Sequence, residues 1–331
     1  MFKNIVKSIA ILALTSSIAF SAEGIRFNVI SGDAEAKYNK MINGDISETG
    51  FVLSDPHERI NDAYKERYGN PEDPDFDKDW KVTLDNLGFF AIAHDEKLNA
   101  LLKKAPQLGG FSPFNLHTYK KIDEDKTYVG HIVPSTMLDI VGVSDPVIRA
   151  EFTALFPALD EHVQKTLGGE VKISTYDKLP AKPMMTFELE FDRPDDIADF
   201  IEEFQEGFEE AFEDKKYIIA GYKDFKETYS DLEMDFEEFD AYFVYSLCHF
   251  TYSYNMFNKG RPDAGVFAPC SMYLYIKKDS NKMVIGMPRL ATWVAVMNIK
   301  DEIKGKSVDD LDAEIVSIME ELGAKEIWKI Y

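Results

Sequence analysis

The sequence is short of positive charge. Its 37 Lys and Arg residues face 59 Asp and Glu residues, which gives a formal net charge of −22 at pH 7. Proteins that bind nucleic acids need Lys and Arg to neutralise phosphates, and anionic membrane surfaces are recognised by the same charges. We therefore expect neither nucleic acid nor an anionic membrane as a partner.

Catalytic signatures are also missing. The chain contains no Gly-rich phosphate loop, no Gly-x-Ser-x-Gly motif and no His-Glu-x-x-His motif. After the N-terminal segment, no apolar run is long enough to span a bilayer. These absences favour a soluble, non-catalytic protein. A hydrolase without a recognisable signature is the least favoured alternative.

The first 21 residues have the three parts of a secretory signal peptide. Lys3 and Lys7 supply the positive start, and residues 9–14 form a short apolar segment. Ala19 and Ser21 are small residues at the −3 and −1 positions for cleavage after Ser21, with Ala22 as the neighbouring option. The sequence thus predicts export to a periplasm or to the outside of the cell.

An internal repeat sets the expected architecture. Residues 111–130 align without a gap with residues 267–286, an offset of 156, and seven positions are identical. The segment ending at His94 likewise parallels the one ending at His249. Since about 310 processed residues exceed one comfortable core, we predict a tandem duplication of one α+β domain. The predicted boundaries are residues 22–170 for the first copy, 171–183 for a junction and 184–331 for the second copy.

Periodicity predicts the elements of each copy. In the second copy, residues 187–191 alternate as a half-buried strand, and Asp192 is expected to cap a helix whose first turn holds Pro194. Residues 267–276 and 282–287 read as a β-hairpin, and residues 308–322 as an amphipathic helix. In the first copy, a single helix is predicted from about residue 147 to residue 167.

A motif in the second copy resembles a known family. Cys248 ends a strand, a short helix follows, and Pro269-Cys270 opens the hairpin. This arrangement resembles the domain-of-unknown-function family 302, although His249 stands where that family usually has Asn. The first copy keeps Pro113 but lacks both cysteines. The resemblance implies a compact α+β fold and implies no particular activity.

Cys248 and Cys270 are the only two cysteines. An even count in an exported protein favours a disulfide, which would close a loop of about 22 residues and stabilise the fold by roughly 3 kcal/mol. The alternative is a thiol-redox site, or a soft-metal site for copper or zinc, built from Cys248, His249 and Cys270. Two buried free thiols are the third option.

The other candidate groups have simpler interpretations. His94 and His249 occupy equivalent strand ends, where hydrogen-bonded imidazoles are expected, or a shared pocket lip. His117 and His131 are candidates for one face of the first hairpin. Asp residues at 73, 75, 77 and 79 suggest calcium, but Lys78 stands where an EF-hand loop needs Gly, so a solvated acidic loop is expected.

These observations predict an exported binding or accessory protein. Its partner would be a small molecule or another periplasmic protein, held at the strand ends near His249 or between the two domains. No cofactor is expected on this reading. Copper or zinc belongs to the alternative reading.

Overall fold

The computed structural model of this protein describes residues 21–327. The predicted signal peptide lies outside these residues, apart from Ser21. The chain forms two six-stranded antiparallel sheets with helices, so the predicted α+β class is confirmed. Among the described helices, none is long and apolar enough to cross a membrane.

The first sheet is built from residues 22–176. Its strands and helices, in chain order, are β1 (Ala22–Ser31), α1 (Glu35–Asn43), β2 (Val52–His57), α2 (Ile60–Tyr68), β3 (Leu84–Ala93), α3 (Asp95–Lys104), β4 (Phe114–Lys121), β5 (Lys126–Ile132), α4 (Pro134–Ile140), α5 (Pro146–Thr153), α6 (Phe156–Leu167) and β6 (Glu170–Tyr176).

The second sheet is built from residues 184–326. Its elements are β7 (Met184–Glu190), α7 (Ile197–Asp214), β8 (Tyr217–Asp224), α8 (Phe225–Asp231), β9 (Phe239–His249), α9 (Phe250–Ser253), β10 (Cys270–Lys277), β11 (Lys282–Pro288), α10 (Ala291–Val296), α11 (Glu302–Glu321) and β12 (Lys325–Glu326). A π-helical turn, Tyr254–Asn258, continues α9.

The two sheets share one strand order. The first runs β2-β3-β4-β5-β1-β6, and the second runs β8-β9-β10-β11-β7-β12. Each strand of the first sheet therefore has a counterpart at the same place in the second. Residues 170–176, most of which fall in the predicted junction, form the edge strand β6 of the first sheet.

Local signals explain where two helices differ from the sequence-based expectation. Asp196, rather than Asp192, caps α7 by accepting a hydrogen bond from the backbone N–H of Ala198, so Pro194 precedes the helix. The single helix predicted over residues 147–167 is two helices, α5 and α6. Pro157 lies at the start of α6, where a missing backbone N–H is tolerated.

The two halves of the chain are residues 22–176 and residues 184–326, and each contains one sheet. Helices pack on one face of each sheet, and the other half packs on the opposite face. On the helix side of the second sheet, the rings of Phe208 in α7 and Tyr245 in β9 stack with centroids 4.7 Å apart. On the opposite side, strand alternation places Tyr242 and Tyr273 toward the first half. The core is therefore continuous from one half to the other.

The halves exchange two short 3₁₀ segments across this shared face. The segment Pro106–Phe111 of the first half packs against β10, and Tyr242 donates a hydrogen bond to the carbonyl of Pro106. The equivalent segment Pro262–Phe267 packs against β4, where His117 Nε2 lies 2.8 Å from the carbonyl oxygen of Pro262. Each half thus covers part of the other's sheet.

Glycine permits this close approach. A Cβ atom at Gly265 would collide with the ring of His117, and one at Gly109 would collide with Tyr242 and Tyr273. These two glycines are 156 residues apart in sequence, which is the offset of the internal repeat. The reciprocal contact therefore depends on the same small residue in both halves.

We expect Gly265→Ala to lower the free energy of unfolding by about 1–3 kcal/mol, because the added methyl group overpacks the contact with His117. Gly305→Ala is the matched control. A Cβ at Gly305 in α11 enters open space, so this change should raise stability by about 0.5–1 kcal/mol. Urea denaturation of both variants tests the expectation, and an unchanged midpoint for Gly265→Ala would contradict it.

Candidate functional site

The end of β9 and the start of β10 hold the residues that the sequence singled out. Cys270 pairs with Leu247 across the two strands, so Cys248 is one position further along β9. Because neighbouring strand residues point to opposite faces, Cys248 faces the first half and Cys270 faces the helices. Their surroundings agree: Cys248 lies near Tyr64 of α2, whereas Cys270 lies near Tyr252.

Both cysteines are free thiols in the structure. Burial raises the pKa of the Cys248 thiol to about 11. It raises the pKa of Cys270 further, with the neighbouring Cys248 as a second cause. A buried, protonated thiol is a poor nucleophile, because the thiolate is the reactive form. The disulfide stays a prediction from the sequence.

His249 makes a capping hydrogen bond at the same strand end. Its Nδ1 accepts a hydrogen bond of 3.3 Å from the backbone N–H of Tyr252 and so caps α9. Burial lowers its pKa, which favours the neutral imidazole. Among residues 21–327, no three His, Cys, Asp or Glu side chains are arranged to hold a metal ion. Cys248, His249 and Cys270 do line one small cavity together, and a copper or zinc site there stays a prediction from the sequence.

Three further histidines, His94, His117 and His131, have structural contacts. His94 is buried beside Phe51 at the end of β3, matching the position of His249 in the other half. His117 is paired with Gly130 across β4 and β5, so His131 faces the opposite side of the sheet, and the expectation of a common face is wrong. His131 Nε2 lies 2.9 Å from Asp160 Oδ1 of α6.

The acidic loop after α2 helps to join the two halves. Asp77 accepts a hydrogen bond of 2.9 Å from the hydroxyl of Tyr254, and Lys259 Nζ lies 2.7 Å from its Oδ2 atom. Lys259 is the first cause of the low pKa of Asp77, about 2. Asp75 pairs with Arg67. This loop was expected to be a solvated surface, but Asp77 contacts the second half.

A cavity of about 210 Å³ lies between the halves, at the inner face of β9. Tyr64 forms part of its wall and donates a hydrogen bond of 2.9 Å to Ser253 Oγ. His57 also lines the cavity, and its Nε2 lies 3.2 Å from Asp55 Oδ2. The hydrogen bond with this carboxylate is the first cause of the raised pKa of His57. Most of the other lining side chains are apolar: Ile60, Phe89, Ile218, Ile219, Phe250 and Phe257.

Sequence reasoning anticipated a pocket between the domains but missed most of its lining. Tyr64 and His57 lie in the first half, and Tyr64 is 189 residues before its hydrogen-bond partner Ser253. The available signal is the aromatic-rich stretch from Tyr242 to Phe257, but a sequence of this kind is most simply interpreted as ordinary core. Only the packing of the two halves shows that part of this core is hollow.

Comparison with known proteins supports the resemblance seen in the sequence. Residues 197–322 match the family model described as Domain of unknown function DUF302. This match lies within the second half, where the cysteine-containing strand end and hairpin are found. The resemblance to that family is confirmed for these residues, whereas the tandem duplication stays a prediction.

A solved structure of the same family is similar over a limited part of the chain. It is an uncharacterized conserved DUF302 protein from Bacillus stearothermophilus, with 18% sequence identity and a TM-score of 0.35. The match covers 42% of this chain and 98% of that chain. No curated protein matches the sequence.

The raised thiol pKa values predict slow labelling of the native protein. With a pKa of about 11 for Cys248, only about one thiol in 10⁴ is ionised at pH 7. Alkylation of Cys248 should accelerate about tenfold per pH unit from pH 7 to pH 10. Intact mass after timed exposure to iodoacetamide, with urea-unfolded protein as the control, measures this rate.

The same experiment reports on the disulfide. If the unfolded protein takes up two labels without reductant, both cysteines are free thiols, as they are in the structure. Labels that appear only after reduction would identify the bridge between Cys248 and Cys270. Fast labelling of the native protein at pH 7 would contradict the conclusion that both thiols are buried and protonated.

Proposed function

We propose that the protein is an exported, non-catalytic binding protein that holds a small, mainly apolar molecule between its two halves. The observation that carries this proposal is the cavity of about 210 Å³ lined by residues of both halves. An apolar protein cavity of about 150 Å³ takes up benzene, so this space suits one aromatic ring with a small polar substituent. Drug-sized ligands need about 300 Å³ or more and are too large.

The chemistry of the lining favours a neutral ligand. The apolar side chains give no compensation for a buried charge, which is costly to remove from water. The polar side chains at the wall are His57, Tyr64, Ser253 and Cys248. The oxygen of Ser253 and the thiol of Cys248 suit one hydrogen-bonding group on the ligand. The protonated state of Cys248 supports binding rather than covalent chemistry.

Export is the second part of the proposal. The first strand, β1, begins at Ala22, and Ala22 pairs with Tyr176 of β6. Cleavage after Ser21 would therefore leave the first sheet complete. This position supports a processed protein that functions outside the cytoplasm, in a periplasm or after secretion.

Binding is tested with 4-fluorophenol, observed by ¹⁹F NMR. We expect a saturable shift for the full chain, because the ring fits the cavity and its hydroxyl finds a partner at the wall. Ala220→Leu adds a side chain at the cavity lining and should abolish the shift. Ala36→Leu, on the exposed face of α1, is the matched control and should bind like the unmodified protein.

Two outcomes would overturn this assignment. One is the absence of a saturable shift for both 4-fluorophenol and fluorobenzene. The other is equal binding by Ala220→Leu and Ala36→Leu, which would place the probe elsewhere on the protein.

Processing is tested separately by expression of the full chain in a bacterium with a periplasm. We expect the intact mass of the periplasmic protein to correspond to a chain that begins at Ala22. A cytoplasmic protein that retains Met1 would contradict export. This result would leave the binding measurement unaffected.

A further inference from the structure

A smaller cavity, of about 30 Å³, lies at the end of the second sheet. Three sulfur-containing side chains line it: Cys248 of β9, Cys270 of β10 and Met287 of β11. About 10–15 Å³ suffices for one water molecule, whereas uptake of benzene takes about 150 Å³. The space therefore accommodates a single ion but no organic ligand.

The two thiols approach each other at this cavity. Cys270 is paired with Leu247, so Cys248 is its diagonal neighbour across the two strands. The proximity of Cys248 contributes to the raised pKa of the Cys270 thiol, an effect that requires the two sulfur atoms to be close. Strand alternation starts the side chains on opposite faces, yet both residues line the same cavity, because it lies where β10 begins and the sheet ends.

A hydrogen-bond donor without an acceptor lies beside the sulfur of Cys270. Tyr252 lines the cavity and is only 8% exposed, and its hydroxyl has no hydrogen-bond partner among residues 21–327. Burial, and after it the nearby Cys270, raises the pKa of this hydroxyl. A buried polar group without a partner is a common sign of a water molecule or an ion at the site. A thiolate at Cys270 would accept the hydrogen bond that Tyr252 lacks.

His249 also lines the cavity, but its imidazole is committed elsewhere. Its Nδ1 accepts the hydrogen bond that caps α9, so the proton of the neutral imidazole is on Nε2. Neither ring nitrogen then has a lone pair for a metal ion. Within residues 21–327, no set of three His, Cys, Asp or Glu side chains surrounds a common point. The ligands at this cavity are therefore sulfur atoms.

Sulfur ligands in this number favour one metal ion over the others. Soft thiolate and thioether ligands select Cu(I), and two or three of them complete its coordination. Structural Zn²⁺ sites are almost always four-coordinate, with Cys, His, Asp or Glu as ligands. Calcium and magnesium need several oxygen ligands.

We propose that Cys248, Cys270 and Met287 bind one Cu(I) ion, and that the Tyr252 hydroxyl donates a hydrogen bond to the Cys270 sulfur. Copper binds without a change of oxidation state, and the two thiols release their protons to water as the two copper–thiolate bonds form. A disulfide between the same cysteines excludes the ion, so the site belongs to the reduced protein.

The test is anaerobic competition for Cu(I) between the reduced full chain and the chelator bicinchoninate. We expect the protein to remove one equivalent of Cu(I) from the coloured chelator complex, and native mass spectrometry to show one copper per chain. Zn²⁺ in excess should not displace the copper. Failure to remove Cu(I), or its displacement by Zn²⁺, would overturn the proposal.

Variants with a matched control locate the site. Cys248→Ser and Cys270→Ser each remove a thiolate and should weaken Cu(I) binding about a hundredfold, whereas Met287→Leu should weaken it about tenfold. Met283→Leu makes the same change four residues earlier in β11, outside the cavity lining, and should leave the affinity unchanged. Urea denaturation checks that each variant is folded. Equal affinities of Met287→Leu and Met283→Leu, or of Cys270→Ser and the unmodified chain, would overturn the assignment.

Tyr252→Phe tests the hydrogen bond to the bound thiolate. Loss of the hydroxyl should weaken Cu(I) binding about threefold to tenfold and shift the ultraviolet thiolate-to-copper absorption band. The urea midpoint of the metal-free protein should not fall, because the hydroxyl has no partner there among the described residues. A lower midpoint with unchanged Cu(I) affinity would contradict this role of Tyr252.

The Cu(I) site and the proposed ligand cavity are separable by experiment. Cys248 lines both cavities, but Cys270 lines only the smaller of the two. Cys270→Ser should therefore lose Cu(I) binding and keep the saturable shift of 4-fluorophenol. A chain that binds Cu(I) but not 4-fluorophenol would overturn only the earlier proposal, and the reverse result would overturn only this one.

Discussion

The mutual insertion of two 3₁₀ segments is the constraint on which the rest of the structure depends. Each sheet needs cover on the face that carries no helices, and this cover comes from the other half. Pro106–Phe111 lies on β10, and Pro262–Phe267 lies on β4. Gly109 and Gly265 leave room for these contacts. As a result, the inner faces of β3 and β9 border the same shared core. The cavity between the halves is a gap in this shared core.

Strand alternation also positions the groups at the end of β9. Cys248 and His249 are adjacent in sequence; Cys248 lines the cavity between the halves, whereas the His249 imidazole caps α9. Both residues also line a smaller cavity together with Cys270. Both cysteines of the sequence therefore lie beside one imidazole at this strand end.

Much of the fold could be predicted from the sequence, because its signals are local or repeated. The α+β class follows from periodicity, and the hairpin of β10 and β11 follows from a turn between two apolar strands. Helix boundaries were less certain, since several acidic residues compete as caps. Asp192 and Asp196 are both residues that can cap a helix, so the residue type does not distinguish them. In the structure, the path of the chain before α7 makes Asp196 the cap.

The site was harder to predict because it depends on register and on contacts between the halves. The cysteine count favours a bridge but does not give the register, which pairs Cys270 with Leu247 and places both free thiols at one small cavity. Tyr64 has no sequence motif that links it to Ser253, although their side chains are hydrogen-bonded.

The exchange of segments also has a consequence for biosynthesis. The inner face of β4 is complete once residue 121 has been made, but the segment that covers it ends at Phe267. At about 5–20 residues per second, the ribosome needs roughly 7–30 s to add the intervening residues. During this interval Asn115 and His117 of β4, and Phe89 beside them on β3, lack the contacts that the second half gives them in the folded protein. A chaperone that recognises such surfaces has that period in which to act, before the second half emerges and takes its place.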